Sequence, residues 1–273
     1  MARTRSIEMW QVDAFASGPF TGNPAAVLVL DEAASEDWMQ AVAAENNLSE
    51  TAFCVPSQPD DSGPVWGLRW FTPAAEVDLC GHATLATAHV LFELGSVGPD
   101  RAASFDTRSG RLAARRSGST IWLDFPATPA VPTPPPDDLV PALGIDPARV
   151  EFTGTSRFDT LVAVDDESIV RRLAPDTAAI GRIPTRCVIV TASGFDYDMV
   201  SRVFAPAVGI AEDPVTGSAH CALGPYWADH LGRNELAAYQ ASARGGELSL
   251  EVDGDRVRLG GSATTVLRAD LYV

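Results

Sequence analysis

The chain of 273 residues contains no lysine, and all 20 of its basic side chains are arginine. That excludes a pyridoxal Schiff base, a lysine general base and a P-loop lysine. No Gly-x-Gly-x-x-Gly opens a helix, which argues against a Rossmann dinucleotide site. The four histidines show no His-x-x-x-His spacing, so a metal site has little support. Ser218 does not stand in Gly-x-Ser-x-Gly, which weakens a serine hydrolase. Neither a cofactor nor a metal is therefore expected. Net positive charge is lacking too: the formal charge is −16. Nucleic acid and anionic membrane both call for basic patches, so neither is expected as a partner, and the acidity reads as solubility. The start lacks the apolar run of a signal peptide, and no apolar stretch is long enough to span a bilayer. The four cysteines show no Cys-x-x-Cys spacing, and a cytoplasmic protein with reduced thiols is expected. Cys54 and Cys187, 187 − 54 = 133 positions apart, lie in apolar runs and read as buried strand residues.

What the chain does have is a motif that occurs twice. Arg69-Trp70-Phe71-Thr72-Pro73 runs through Asp78-Leu79-Cys80-Gly81-His82 into a small-residue helix. Arg202-Val203-Phe204-Ala205-Pro206 runs through Asp213-Pro214-Val215-Thr216-Gly217-Ser218 into another. The arginines are 202 − 69 = 133 positions apart and the glycines 217 − 81 = 136, so the second copy carries three extra residues. Such self-similarity implies two related lobes, with chemistry expected in a cleft where each strand hands over to its helix.

A chain of this size buries roughly 75 % of its unfolded surface and needs no disulfide or metal to fold. Short strands are expected at 12–15 and 25–30, a helix capped by Ser35 to about Glu45, and strands at 52–55 and 66–71. A helix follows over 83–94 with Gly95 as its left-handed cap, then strands at 105–113 and 120–125. Residues 126–147 are dense in proline and read as a stiff linker between an N-terminal lobe, 1–125, and a C-terminal lobe, 126–273. The second half repeats the order, with helix over 218–231 and a last strand, 264–273, that could return to the first lobe. Strands and helices without strict alternation indicate an α+β protein.

Helix N-termini carry unpaired N–H groups and partial positive charge, and a preceding glycine lets a ligand approach the backbone. The starts at Gly81-His82 and Gly217-Ser218 therefore suit a carboxylate or a phosphate. Without lysine, carboxylate is favoured. The plainer alternative is that Ser218 only caps its helix. Glu50 sits at a helix-to-strand turn beside an apolar strand, where desolvation makes a carboxyl a usable proton carrier; otherwise it is a solvated turn residue. Asp213 and His82 are placed to share or orient a proton, or else cap a turn and a helix start. His89 reads as a packed core histidine. Cys80 lies beside a helix N-terminus, a setting that lowers a thiol pKa. The second copy has Asp213 or Pro214 in that region and no cysteine, so a symmetric two-thiol racemase is excluded.

Three motifs resemble the phenazine-biosynthesis PhzF-like family. They are Asn47-Leu48-Ser49-Glu50-Thr51, the segment from Phe71 through Cys80-Gly81-His82 to Ala86, and Glu212 through Ser218 to His220. Asp13-Ala14-Phe15 with 20–27, and Gln240 with Arg244-Gly245-Gly246, are similar as well. The resemblance implies the diaminopimelate epimerase-like fold, two pseudo-symmetric lobes that each curl a sheet around a central helix. It also implies cofactor-independent isomerase chemistry and a homodimer. It places the catalytic glutamate on Glu50, the histidine on His82, the aspartate on Asp213 and the serine on Ser218. Cys80 and His220 depart from the phenazine enzyme, so its dihydro-hydroxyanthranilate substrate is not carried over.

The expectation is an isomerase that moves a proton on a small carboxylate-bearing metabolite. Glu50 carries the proton, and Asp213 and His82 tune it. Ser218, Thr216, Cys80 and the backbone at Gly81 and Gly217 contact the substrate. Alternatives are an epimerase or hydrolase that depends on Cys80, and a non-catalytic metabolite-binding protein.

Overall fold

A computed structural model describes residues 6–60 and 63–272. The chain forms two compact units. The first holds the described residues up to Asp124 and those from Gly260 onward; the second is Phe125–Leu259. Among the described residues no helix is long and apolar enough to cross a membrane.

The first unit runs β1 (Ser6–Ala14), β2 (Asn23–Val29), α1 (Glu36–Asn46), β3 (Glu50–Pro56), β4 (Val65–Phe71), β5 (Glu76–Val77), α2 (Gly81–Glu93), β6 (Ala103–Thr107), β7 (Gly110–Ser117) and β8 (Thr120–Pro126). The C-terminal strand Ala263–Tyr272 pairs antiparallel with β1. Helix α2 buries ten of its thirteen residues, from His82 round to Phe92. A helix apolar on every side has to be enclosed, and α2 touches β1, β2, β3, β7 and the C-terminal strand. Helix α1 instead lies outside the sheet. Ser35 caps it by accepting from the Trp38 N–H at 3.3 Å, and its Met39 and Val42 join Leu28, Phe53 and Phe71 in a satellite core.

The second unit runs β9 (Val131–Pro132), α3 (Leu139–Leu143), β10 (Val150–Thr155), β11 (Thr160–Val164), α4 (Glu167–Arg172), α5 (Thr177–Ile180), β12 (Val188–Ser193), β13 (Met199–Ala205), β14 (Ile210–Asp213), α6 (Gly217–Leu231), β15 (Glu235–Gln240), β16 (Gly246–Asp253) and β17 (Arg256–Gly261). Its pairings repeat those of the first unit. In each, an antiparallel hairpin is followed by a parallel pair, β2–β3 or β11–β12. An antiparallel pair comes next, β3–β4 or β12–β13. A long helix then crosses to a parallel partner, β4–β6 or β13–β15. The two-lobed α+β architecture expected from the repeat is what the chain adopts.

Four details differ from the sequence reading. Residues 105–113 form a hairpin, not one strand. Thr107 Oγ1 accepts from the Ser109 N–H and donates to the Gly110 carbonyl, and Gly110 has φ +99°. Strands β10 and β15 were not anticipated. The proline-dense 126–147 does not stand free: Leu139, Val140 and Leu143 are built into the second core. The register also re-pairs the copies. Phe53 faces Arg69 and Val190 faces Arg202. The spacings 69 − 53 = 16 and 202 − 190 = 12 show a first-lobe connection four residues longer. Matching the arginines therefore aligns Cys187 with Glu50, not with Cys54. Likewise the N-cap of α2 is Cys80 and that of α6 is Thr216, so Thr216, not Asp213 or Pro214, is the counterpart of Cys80.

Candidate active site

Both copies of the arginine motif do the same structural work. Arg69 holds Glu76 through Nε and Nη2 at 2.7 and 2.6 Å, and Arg202 holds Glu212 through the same atoms at 2.7 and 2.8 Å. Each two-point pair ties a central strand to the short strand that leads into the long helix. Neither helix is capped by its own N-cap side chain: Cys80 and Thr216 make no cap hydrogen bond.

In the first unit, β3 opens with Glu50 and α2 with Gly81-His82, and the two side chains meet. His82 Nε2 lies 3.0 Å from Glu50 Oε2. The approach is off the hydrogen-bond line, so neither atom has a hydrogen-bond partner among the described residues, and both are buried. Leaving a buried polar group unsatisfied costs about 1–3 kcal/mol. A fold that keeps two such atoms face to face is arranged for chemistry more than for stability.

At the other side of the ring, His82 Nδ1 is 3.2 Å from Asn23 Nδ2 and 3.5 Å from Cys80 Sγ. Burial and the nearby Glu50 carboxylate push the Cys80 thiol up, outweighing the opposing pull of His82 and the Ala83 N–H. Burial alone would lower His82, but Cys80 and Glu50 together hold it well above the ordinary histidine range. Glu50, Cys80 and His82 place one donor atom each within 4.8 Å of one another. Cys80 sits nearest the Nδ1 and Glu50 nearest the Nε2 of the His82 ring. His89 lies further along α2, with Nε2 3.0 Å from Thr265 Oγ1, and belongs to the packing.

In the second unit, Asp213 ends β14 and accepts from the Thr216 hydroxyl at 2.5 Å. The Thr216 hydroxyl in turn accepts from Gln240 Nε2 at 3.2 Å, and the Thr216 N–H donates to Gln240 Oε1 at 2.9 Å. Gln240 is fully buried on β15, so it fixes the loop between Asp213 and α6. Ser218 is the second residue of α6 and not its cap. Its Oγ accepts from Arg186 Nη2 at 3.0 Å. The same guanidinium grips the buried Asp159 through Nε and Nη2 at 2.8 and 2.7 Å. His220 is buried one turn into α6, with Nδ1 2.8 Å from the Thr216 carbonyl, and burial lowers its pKa to about 4.

The eight residues singled out from sequence thus fall into two groups. Glu50, Cys80, Gly81 and His82 come together in the first unit, and Asp213, Thr216, Gly217 and Ser218 in the second. Sequence reasoning missed Asn23, Arg186 and Asp159. Asn23 falls between the strands expected at 12–15 and 25–30, and Arg186 precedes the apolar run of Cys187. Their partners are 59 and 32 positions away, beyond the reach of any local pattern.

The profile of the phenazine biosynthesis-like protein family matches residues 12–269. The chain belongs to this family. An uncharacterised isomerase of Halalkalibacterium halodurans is 49% identical over 268 residues, 97% of this chain and 98% of that protein. A human phenazine biosynthesis-like domain-containing protein is 42% identical over 95% of this chain and 96% of its own length. Among solved structures, a PhzF-family protein of Enterococcus faecalis superposes with a TM-score of 0.92 at 43% identity, covering 98% of this chain and 100% of that one. A hydroxyproline epimerase of Agrobacterium vitis shares the fold at a TM-score of 0.63 and 12% identity, covering 100% of this chain and 94% of that one. The architecture is therefore the epimerase-like one, and the chain is an isomerase-type member of its family.

Proposed function

We propose that the protein is a cofactor-independent isomerase that moves a proton between positions of a small carboxylate-bearing metabolite. The observation that carries this reading is the buried, unsatisfied Glu50 Oε2 facing His82 Nε2 at 3.0 Å. The Glu50 carboxylate takes a proton from a substrate carbon. The electron pair of the broken C–H bond is delocalised toward the substrate carboxylate. Glu50, now protonated, returns the proton to a different carbon or face. His82 is placed to exchange the proton held on Glu50 for solvent hydrogen before it is returned.

The carboxylate is gripped by Ser218 and by the backbone N–H groups at Gly81 and Gly217, with Asp213 oriented by Thr216. Arg186 supports this assignment: because Ser218 Oγ already accepts from a guanidinium, its own proton points elsewhere and offers itself to an anionic oxygen. The alternative that Cys80 is the nucleophile loses ground, since a reactive cysteine needs a thiolate and burial beside Glu50 favours the thiol. The deciding experiment follows deuterium uptake from D₂O by NMR, over a panel of cyclic and aliphatic amino and hydroxy acids. Uptake at one carbon is expected with the wild type. Glu50→Gln should slow it by roughly 10²–10⁴-fold while leaving the fold intact. Comparable uptake in the variant would sink the assignment.

A further inference from the structure

We infer that Asn23 is a positioning residue that fixes the neutral His82 ring as its Nε2–H tautomer and so puts the ring proton on the nitrogen nearest Glu50. The inference rests on reading Glu50 and His82 as the proton-handling pair. It goes beyond that reading in naming what sets the direction of the relay.

A neutral imidazole has one donor nitrogen and one acceptor nitrogen, and the partner of one decides the role of the other. Asn23 presents Nδ2, a donor, to His82 Nδ1 at 3.2 Å. Asn23 is fully buried and is held in the β1–β2 hairpin opposite Ala14. Nδ1 must therefore be the acceptor, which leaves the ring proton on Nε2, facing Glu50 Oε2. Cys80 Sγ, 3.5 Å from the same Nδ1, is a weaker thiol donor to the same lone pair. Asn23 on β2, Cys80 at the cap of α2 and Glu50 on β3 are the polar groups recorded against the ring. Of these, Glu50 and Cys80 titrate. The Glu50 carboxylate, and Cys80 when it is a thiolate, draw His82 toward the imidazolium, whereas an amide N–H aimed at Nδ1 opposes it. In the imidazolium Nδ1 also bears a proton, so the amide has to turn its oxygen to the ring. Asn23 thus sets both the tautomer and the ease of protonation.

The geometry predicts a sign. Removing the amide donor removes a group that favours neutral His82, so the His82 pKa should rise further. If the amide instead presented its oxygen to Nδ1–H, the same substitution would lower it.

The test is a pH titration of uniformly ¹⁵N-labelled wild type, Asn23→Leu and Cys80→Ala by long-range ¹H–¹⁵N spectra of the imidazole rings. Four histidines can be assigned by single substitution. His220 serves as an internal contrast, since its Nδ1 faces a carbonyl and should carry the proton. Wild-type His82 in the Nε2–H form at high pH supports the inference. So does a rise in its pKa of about half a pH unit or more in Asn23→Leu, with loss of tautomer purity. Cys80→Ala should keep the tautomer. A wild-type Nδ1–H tautomer, a lowered pKa in Asn23→Leu, or a tautomer lost only in Cys80→Ala overturns it. If Asn23→Leu does not fold, the wild-type tautomer decides alone. None of these readouts needs a substrate, so they can fail while the isomerase reading stands, and the reverse.

Discussion

Arg186 reaches from Nη2 to the hydroxyl of Ser218 over 3.0 Å while its Nε and Nη2 hold Asp159. Burial opposes the guanidinium's charge, but the hydrogen bonds and charge of Asp159 keep it fully protonated. Asp159 thus fixes the guanidinium, the guanidinium fixes the hydroxyl, and Ser218 acts as a donor. Hydrogen bonds to charged groups contribute about 1.5–3 kcal/mol, or roughly 10–100-fold in binding. Arg186→Met is accordingly expected to raise KM by about that factor with little change in kcat, and Arg186→Lys to fall between. Ser218→Ala should act in the same direction, and the double variant should be less than additive, because both changes act through the one Ser218 donor. Steady-state kinetics on the compound found by deuterium uptake checks this. Additive losses would mean that the two side chains serve different groups.

Thr216 links Asp213 to Gln240 by donating to one and accepting from the other. Thr216→Val keeps the shape and removes the hydroxyl. Asp213 then loses an orienting donor, and the Gln240 amide loses one of its acceptors. Stability should fall by about 1–2 kcal/mol, measurable as a lower denaturation midpoint, and the uptake rate should fall with it. Thr216→Ser should restore both. A Thr216→Val protein with wild-type activity would show that Asp213 needs no such orientation.

How far these residues could be read from sequence followed a physical rule. Ser35 and Gly95 were legible because caps are local, and the small-residue runs of α2 and α6 because a helix enclosed by strands must be apolar all round. Glu50, His82 and Ser218 stood out because each lies at or next to the start of a strand or a helix, and Asp213 because it ends the short strand that leads into α6. Asn23 and Arg186 were not, since each matters only through a side chain brought to it by strand pairing. The alignment of Cys187 with Glu50 was hidden by the four extra residues between Phe53 and Arg69, which only the register reveals.

His220 makes acid stability testable. Its pKa of about 4 in the fold lies below the ordinary histidine value of 6.5 because burial disfavours the charged ring. Between those pH values the unfolded chain binds the proton that the folded chain refuses. Stability should therefore fall as pH drops from 6.5 toward 4, by about 3 kcal/mol in all at 1.36 kcal/mol per unit. His82 has the opposite sign. Its raised pKa contributes stability at low pH that is lost only as pH rises above the histidine range, so it does not mask the effect. Urea unfolding across pH 4.5–7 should show the slope in the wild type and a flatter one in His220→Gln. Equal slopes would place the buried charge penalty elsewhere.

The register gives Glu50 a counterpart that cannot share its work. Cys187 occupies that position in the second unit, where burial and the Asp159 carboxylate push its thiol well up, so it is no base near neutral pH. If Glu50 is the single carrier, the proton it removes is among those it can return. A substrate deuterated at the reacting carbon and turned over once in ordinary water should then give product that retains a measurable part of the label at its new position. Two carriers on opposite sides would deliver solvent hydrogen instead and leave the product unlabelled. The retained fraction also depends on how fast His82 exchanges the Glu50 proton away. Asn23→Leu, which alters His82 protonation, should therefore change label retention without abolishing it, whereas Cys187→Ser should leave retention unchanged. No retained label in any of the three proteins would mean that the returned hydrogen comes from solvent, through a second carrier or through complete exchange at Glu50.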